Sequence, residues 1–163
     1  MLDVDPRRFG SYASKGYVTE KAKEAYAHVF SIHYPDEERP AARPLRKAPC
    51  YDRLDAMGAV FGQCAGWERP NWFAPDGLRQ ADHWSFRRSK WFPAAVGEAR
   101  NLADNMGLQD MTAFAKCRIS GPGAEDFLDH LVANRLPREP GRLTLCHALN
   151  RRGGVNCEFT ILR

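Results

Sequence analysis

The chain has 163 residues, 44% of them apolar and 27% charged, with a formal net charge of +4. Such a composition belongs to a folded domain, and its interspersed charges exclude both a disordered tail and a one-signed nucleic-acid footprint. No apolar run approaches the roughly 18–20 residues of a membrane-spanning helix.

Acid and proline in Met1-Leu2-Asp3-Val4-Asp5-Pro6-Arg7 stand where a secretory leader needs an apolar stretch, so the sequence reads as cytoplasmic. Five cysteines (Cys50, Cys64, Cys117, Cys146, Cys157) are odd in number and form no C-x-x-C pair. Reduced, buried thiols are expected, with no disulfide framework and no metal site.

In chain order, Met1 to Gly16 are few and polar. Thr19 reads as the N-cap of a helix over Glu20 to Phe30, with Ala22, Ala25/Tyr26 and Val29/Phe30 on its packing face. Pro35, Pro40, Pro44 and Pro49 punctuate a basic stretch containing Arg39, Arg43, Arg46 and Lys47, which reads as a stiff, extended linker. Tyr51 to Met57 predicts a short helix closed by Gly58, followed by a strand at Ala59-Val60-Phe61. Residues 67–92 carry four tryptophans without clear periodicity.

Pro93 fits the first turn of a helix with Val96, Ala99, Leu102/Ala103 and Met106 on one face and Gly107 as its C-cap. Alternation from Met111 to Ser120 predicts a half-buried strand. Ser120-Gly121-Pro122-Gly123 turns into a helix with Phe127/Leu128 and Leu131/Val132 inside. Leu143, Leu145, His147 and Leu149 share one side of the next strand, and 150–154 reads as a hairpin loop. The final strand alternates Val155, Cys157, Phe159 and Ile161 against Asn156, Glu158, Thr160 and Leu162. The chain stops within this apparent core strand, so the expectation is an unfinished α+β unit without a complete catalytic machine.

Three features could carry chemistry. Gly121-Pro122-Gly123 superficially resembles a phosphate loop, but Glu125 and Asp126 in the first helical turn would repel a phosphate. The tryptophan-rich segment, interleaved with Arg69, Arg87, Arg88 and Lys90, could stack on bases, line a planar-ligand pocket, or form a core with stacked arginines. His147 reads as a buried histidine satisfied within the fold. Glu158 is either solvent-facing or a carboxylate aimed into a cavity, where it could act as a base.

A family resemblance rests on Cys50-Tyr51-Asp52-Arg53-Leu54, Gly58-Ala59-Val60-Phe61-Gly62 and Gly66-Trp67-Glu68-Arg69-Pro70-Asn71-Trp72-Phe73. It continues through Ser85-Phe86-Arg87-Arg88-Ser89, Phe114-Ala115-Lys116, Ser120-Gly121-Pro122-Gly123-Ala124-Glu125 and Leu131-Val132-Ala133-Asn134-Arg135-Leu136-Pro137. These runs resemble the dimethylglycine and sarcosine dehydrogenase family, whose folate domain is similar to the glycine cleavage T-protein, an aminomethyltransferase.

The resemblance implies that residues 1–47 are the tail of an FAD oxidoreductase part with its linker. It implies that 48–163 are an incomplete aminomethyltransferase-like folate-binding domain: antiparallel strands with flanking helices. In the family the FAD part oxidises an N-methyl amine to an iminium, and the folate domain captures the one-carbon unit on tetrahydrofolate. The T-protein's paired aspartates correspond to Cys157 and Glu158, so Glu158 inherits the base role. Phe114 and Leu145 fall where the T-protein has a pocket methionine and tyrosine, and become apolar folate contacts.

No flavin fingerprint occurs in the chain, so FAD belongs to the parent enzyme. The expected partners are a methylated amine and folate, with neither nucleic acid nor membrane. A stand-alone folate- or protein-binding module without oxidoreductase activity is the alternative.

Overall fold

The computed structural model describes residues 9–78 and 80–163. The polar lead-in of the sequence lies outside the described residues as far as Arg8. The chain divides into two compact units, one ending at Ala115 and the other formed by Lys116–Arg163. Each combines helical structure with one antiparallel strand pair, as the α+β reading expects.

In the first unit, helix α1 spans Lys15–Ala27 and starts earlier than Thr19 predicts. Ser14 is the N-cap, its Oγ accepting from Tyr17 N–H at 3.2 Å. Thr19 instead turns its hydroxyl back onto the Lys15 carbonyl at 2.9 Å, the usual use of threonine inside a helix. Tyr17 and Ala25 are the buried positions. The expected packing face fails further along. The helix ends before Val29 and Phe30, and Tyr26, Val29 and Phe30 are all exposed.

The proline-rich stretch is not a free, extended spacer. Arg46 N–H donates to Gly66 O at 2.9 Å, and Glu68 N–H donates back to Arg46 O at 2.8 Å. Ala48 is buried, and the Arg46 guanidinium lies 5.6 and 5.7 Å from the ring centres of Tyr12 and Trp67. Backbone pairing and cation–π contacts thus strap this segment to the strand beside it.

Helix α2 (Tyr51–Ala56) leads through Gly58 into β1 (Ala59–Cys64). Gly58 has φ +88°, and a Cβ there would sit 2.8 Å from Ala74 O, so glycine is required twice over. Strand β2 (Trp67–Phe73) pairs antiparallel with β1, Val60 opposite Trp72 and Cys64 opposite Trp67. Sequence periodicity misses β2 because Pro70 interrupts it and the ladder shifts between Val60 and Phe61. Ala65 (φ 49°) and Gly66 (φ 82°) form the two-residue hairpin turn with both residues left-handed.

Helix α3 (Trp91–Asp104) follows, with Asn105 as its C-cap in place of the expected Gly107. Asn105 N–H donates to Asn101 O at 2.8 Å and Asn105 Nδ2 to Asn101 Oδ1 at 3.0 Å, which closes the last turn early. The strand expected over Met111 to Ser120 does not form. Asp110 Oδ1 accepts from Thr112 N–H at 2.9 Å and from Thr112 Oγ1 at 2.6 Å, bending the chain into a side-chain-bonded turn. Residues 115–120 then run exposed, outside any ladder.

In the second unit, helix α4 (Ala124–Leu131) starts from Gly123 at φ 80°. Glu125 and Asp126 occupy its first turn, where the helix dipole favours acids. Strands β3 (Leu143–Leu149) and β4 (Val155–Leu162) form an antiparallel hairpin, as the alternation predicts. Asn150 organises its loop, its Oδ1 accepting from Arg152 N–H at 2.9 Å and Gly154 N–H at 3.1 Å.

The buried side of this hairpin reverses the leucine-based expectation. Cys146 and Ala148 face inward with Val132 and Pro137, whereas Leu143, Leu145 and Leu149 are exposed. Strand β4 is correspondingly no core strand; only Phe159 and Ile161 on it are half-buried, across from Cys146 and Thr144. Of the five cysteines, all are free, but only Cys146 is buried, so the expectation of buried thiols holds for one of them.

Candidate functional site

The three residues singled out by resemblance fall in different settings. Phe114 belongs to the first unit, on the turn after Asp110, and is exposed. Leu145 and Glu158 belong to the second unit and lie on one face of its hairpin. The register sets Leu145 opposite Thr160 and His147 opposite Glu158. Residues directly opposed in an antiparallel pair point to the same side. One face therefore carries Leu143, Leu145 and His147 from β3 with Glu158, Thr160 and Leu162 from β4.

His147 is not the buried, self-contained histidine expected from the sequence. Its side chain is 32% exposed, and Nε2 lies 3.0 Å from Glu158 Oε2. Glu158 is 58% exposed, as strand alternation predicts for a solvent-facing residue. Among the described residues no hydrogen bond engages its Oε1. The pairing is a contact that sequence reasoning missed. Counting outward from the loop sets His147 against Cys157, and only the ladder shift between Ala148 and Leu149 brings Glu158 opposite it.

Strand β4 is tied down beyond this face. The Arg163 guanidinium grips Glu125 at the start of α4, Nη1 to Oε1 at 2.7 Å and Nη2 to Oε2 at 2.9 Å. This bidentate hydrogen-bonded pair holds the Glu125 carboxyl below its ordinary range.

The other notable carboxylate is in the first unit and has a structural part. Glu68 is 4% exposed, yet fully paired. Arg43 Nε donates to its Oε1 at 3.1 Å, and Nη2 bonds Glu68 Oε2 and the Phe61 carbonyl. Burial pulls the Arg43 pKa down, but the hydrogen bonds and charge of Glu68 outweigh that and hold it above its ordinary value. Glu38 adds a second acid 3.5 Å from Arg43 Nη1.

A cleft of about 520 Å³ beside this pair is lined by Glu38, Arg43, Asp55, Gln80 and Trp84. Its polar groups are already engaged with one another; Gln80 Nε2, for example, donates to Asp55 Oδ1 at 2.9 Å and Ala59 O at 2.6 Å. Within the tryptophan-rich segment Trp72 is buried with Nε1 bonded to Asp82 Oδ1 at 3.0 Å, and Arg88 lies over Phe92 at 4.1 Å. Trp67, Trp84 and Trp91 are half-buried.

Residues 50–163 match the family model for the GCVT N-terminal domain. The chain belongs to the GCVT N-terminal domain family. Residues 1–48 match a second model, the FAD dependent oxidoreductase central domain. Dimethylglycine dehydrogenase of Rattus norvegicus, described as mitochondrial, is 34% identical over 161 residues, covering 99% of this chain and 19% of that protein. The 4-methylaminobutanoate oxidase (formaldehyde-forming) of Paenarthrobacter nicotinovorans is 29% identical over 98% of this chain and 20% of its own length. Mitochondrial sarcosine dehydrogenase of Homo sapiens is 27% identical over 90% of this chain and 19% of its own length.

This GCVT-family chain thus spans about a fifth of the length of the curated relatives it matches. Its resemblance to dimethylglycine and sarcosine dehydrogenases covers nearly every residue. Among the described residues, no helix is long and apolar enough to cross a membrane.

Proposed function

We propose that this chain is the segment of an FAD- and tetrahydrofolate-dependent oxidoreductase, acting on dimethylglycine or sarcosine, that supplies part of the one-carbon transfer domain. Residues 1–47 then serve as the tail of the oxidoreductase part with its linker, and 48–163 as the aminomethyltransferase-like portion. The observation that carries this reading is Glu158: a carboxylate with an unengaged Oε1 on an exposed leucine-bearing face.

That face suits a folate. Leu145 and its neighbours offer apolar area to a flat heterocycle, and Glu158 offers an acceptor at its edge. When bound, tetrahydrofolate supplies the amine nitrogens that take up the one-carbon unit. Glu158 Oε1 holds the proton released as that carbon–nitrogen bond forms. Phe114 is proposed as an apolar folate contact on the resemblance alone. No residue is assigned to a flavin, because the one G-x-G run leads into Glu125 and Asp126, which would repel a pyrophosphate. The compartment we assign is cytoplasmic; the fractionation of the tagged protein tests it against the mitochondrial placement of the mammalian relatives.

Calorimetric titration of tetrahydrofolate into the 163-residue chain tests the reading. Saturable binding, weakened about tenfold by Glu158→Gln, is the expected result. Binding unaffected by Glu158→Gln, or absent altogether, overturns the assignment.

A further inference from the structure

His147 is held more firmly than its place on an open face requires. Its backbone N–H donates to Asn134 Oδ1 at 2.9 Å, and its carbonyl accepts from Ala133 N–H at 2.9 Å. Both main-chain groups of His147 are therefore turned away from β4. In an antiparallel ladder that marks a non-hydrogen-bonded pair, the kind in which opposing side chains approach most closely. The partner across the ladder is Glu158, and the ring nitrogen reaches its Oε2 at 3.0 Å.

An exposed glutamate on its own samples many rotamers, and fixing one costs conformational entropy at the moment of reaction. We propose that His147 is the positioning residue for Glu158. Its Nε2–H holds Oε2, so the second oxygen, Oε1, is presented outward from the leucine face and is free to take up a proton. Asn134 and Ala133 complete the device by locking the histidine backbone, so the ring delivers its hydrogen bond from a fixed origin. The role rests on the one-carbon reading of Glu158, whereas the coupling between the two side chains does not.

The ring is the first readout. Nitrogen-15 spectra of the wild-type chain at pH 9 are expected to place the His147 proton on Nε2. In Glu158→Leu the tautomer ratio shifts toward Nδ1–H by about tenfold, the worth of one charge-assisted hydrogen bond. A wild-type ring protonated on Nδ1, or a ratio unmoved by Glu158→Leu, overturns the proposal.

Tetrahydrofolate titration is the second readout. His147→Phe keeps the ring and loses the donor, and its Kd rises about tenfold. His147→Gln restores an N–H at comparable reach and recovers binding to within about threefold of wild type. Equal weakening by both variants, or none by His147→Phe, also overturns it. A wild-type chain that takes up no tetrahydrofolate defeats the proposed function, and the ring spectra still decide the His147–Glu158 coupling.

Discussion

Two antiparallel hairpins, β1–β2 and β3–β4, carry the two units, and their surroundings are opposite. The first is covered: Ala59, Val60, Glu68 and Trp72 are buried, and the strap from Arg43 to Ala48 lies along it. The second has one inward face, centred on a fully buried Cys146, and one open face bearing leucines. Each hairpin places a glutamate against a basic side chain. Glu68 is enclosed and all its oxygens are taken, so its charge serves the fold. Glu158 is open and half engaged, so its charge can serve a ligand. Residue type does not separate the two carboxylates; what covers them does.

The sharpest way to break this comparison is to strand the enclosed charge. Arg43→Met leaves Glu68 buried without a counter-charge and is expected to cost about 3–5 kcal/mol in urea denaturation. The double variant with Glu68→Met recovers most of the loss, because a well-packed apolar pair avoids the desolvation penalty. A single-variant loss under 1 kcal/mol would equate the two hairpins.

A matched pair of truncations comes next. Val60→Ala, on the covered hairpin, is expected to lower stability by about 2 kcal/mol. Val155→Ala, on the open one, changes it by less than about 0.5 kcal/mol, since the side chain is already in water. Equal effects in thermal or chemical denaturation would remove the contrast in burial.

The turns differ with opposite signs. Ala65→Gly is expected to stabilise the chain by about 1 kcal/mol, because alanine at φ 49° is strained and glycine is not. Asn150→Ala is expected to cost about 1 kcal/mol through its two lost loop hydrogen bonds.

The smallest effect is a pH dependence. Glu125 is depressed by its hydrogen bonds to Arg163, so its contribution is present above the unfolded carboxyl value near 4.5 and is lost as pH falls through the lower folded value. Hydrogen exchange at the end of β4 is therefore expected to quicken in acid, and Glu125→Gln to abolish that change.

Much of this was legible from spacing alone. Period-two alternation located β3 and β4, the apolar run after Gly58 located β1, and the Gly-Gly loop located the second hairpin. Local chemistry also marked α2 and α4 by their glycines. What failed were questions that a strand cannot answer by itself. Met111 to Ser120 alternates properly yet joins no ladder among the described residues, and the Asp110–Thr112 turn takes its place. β2 was hidden because Pro70 breaks propensity while the ladder tolerates it beside a bulge. Hydrophobicity points the leucine face of β3 inward, but the smaller Cys146 and Ala148 are the buried ones, as are Val132 and Pro137. For the site, alternation placed Glu158 on the exposed side, but only the cross-strand register revealed His147 as its neighbour.

Ala65 also has a kinetic meaning. A turn whose first residue resists the left-handed region offers the chain little local drive to reverse there, so contacts such as Val60–Trp72 and Arg43–Glu68 must bring the β1 and β2 strands together first. The Asn150 loop carries its own bonds and needs no such help. The second hairpin is therefore expected to close early in refolding and the first late. The covered, more strongly held hairpin is then the one that waits for the rest of its unit.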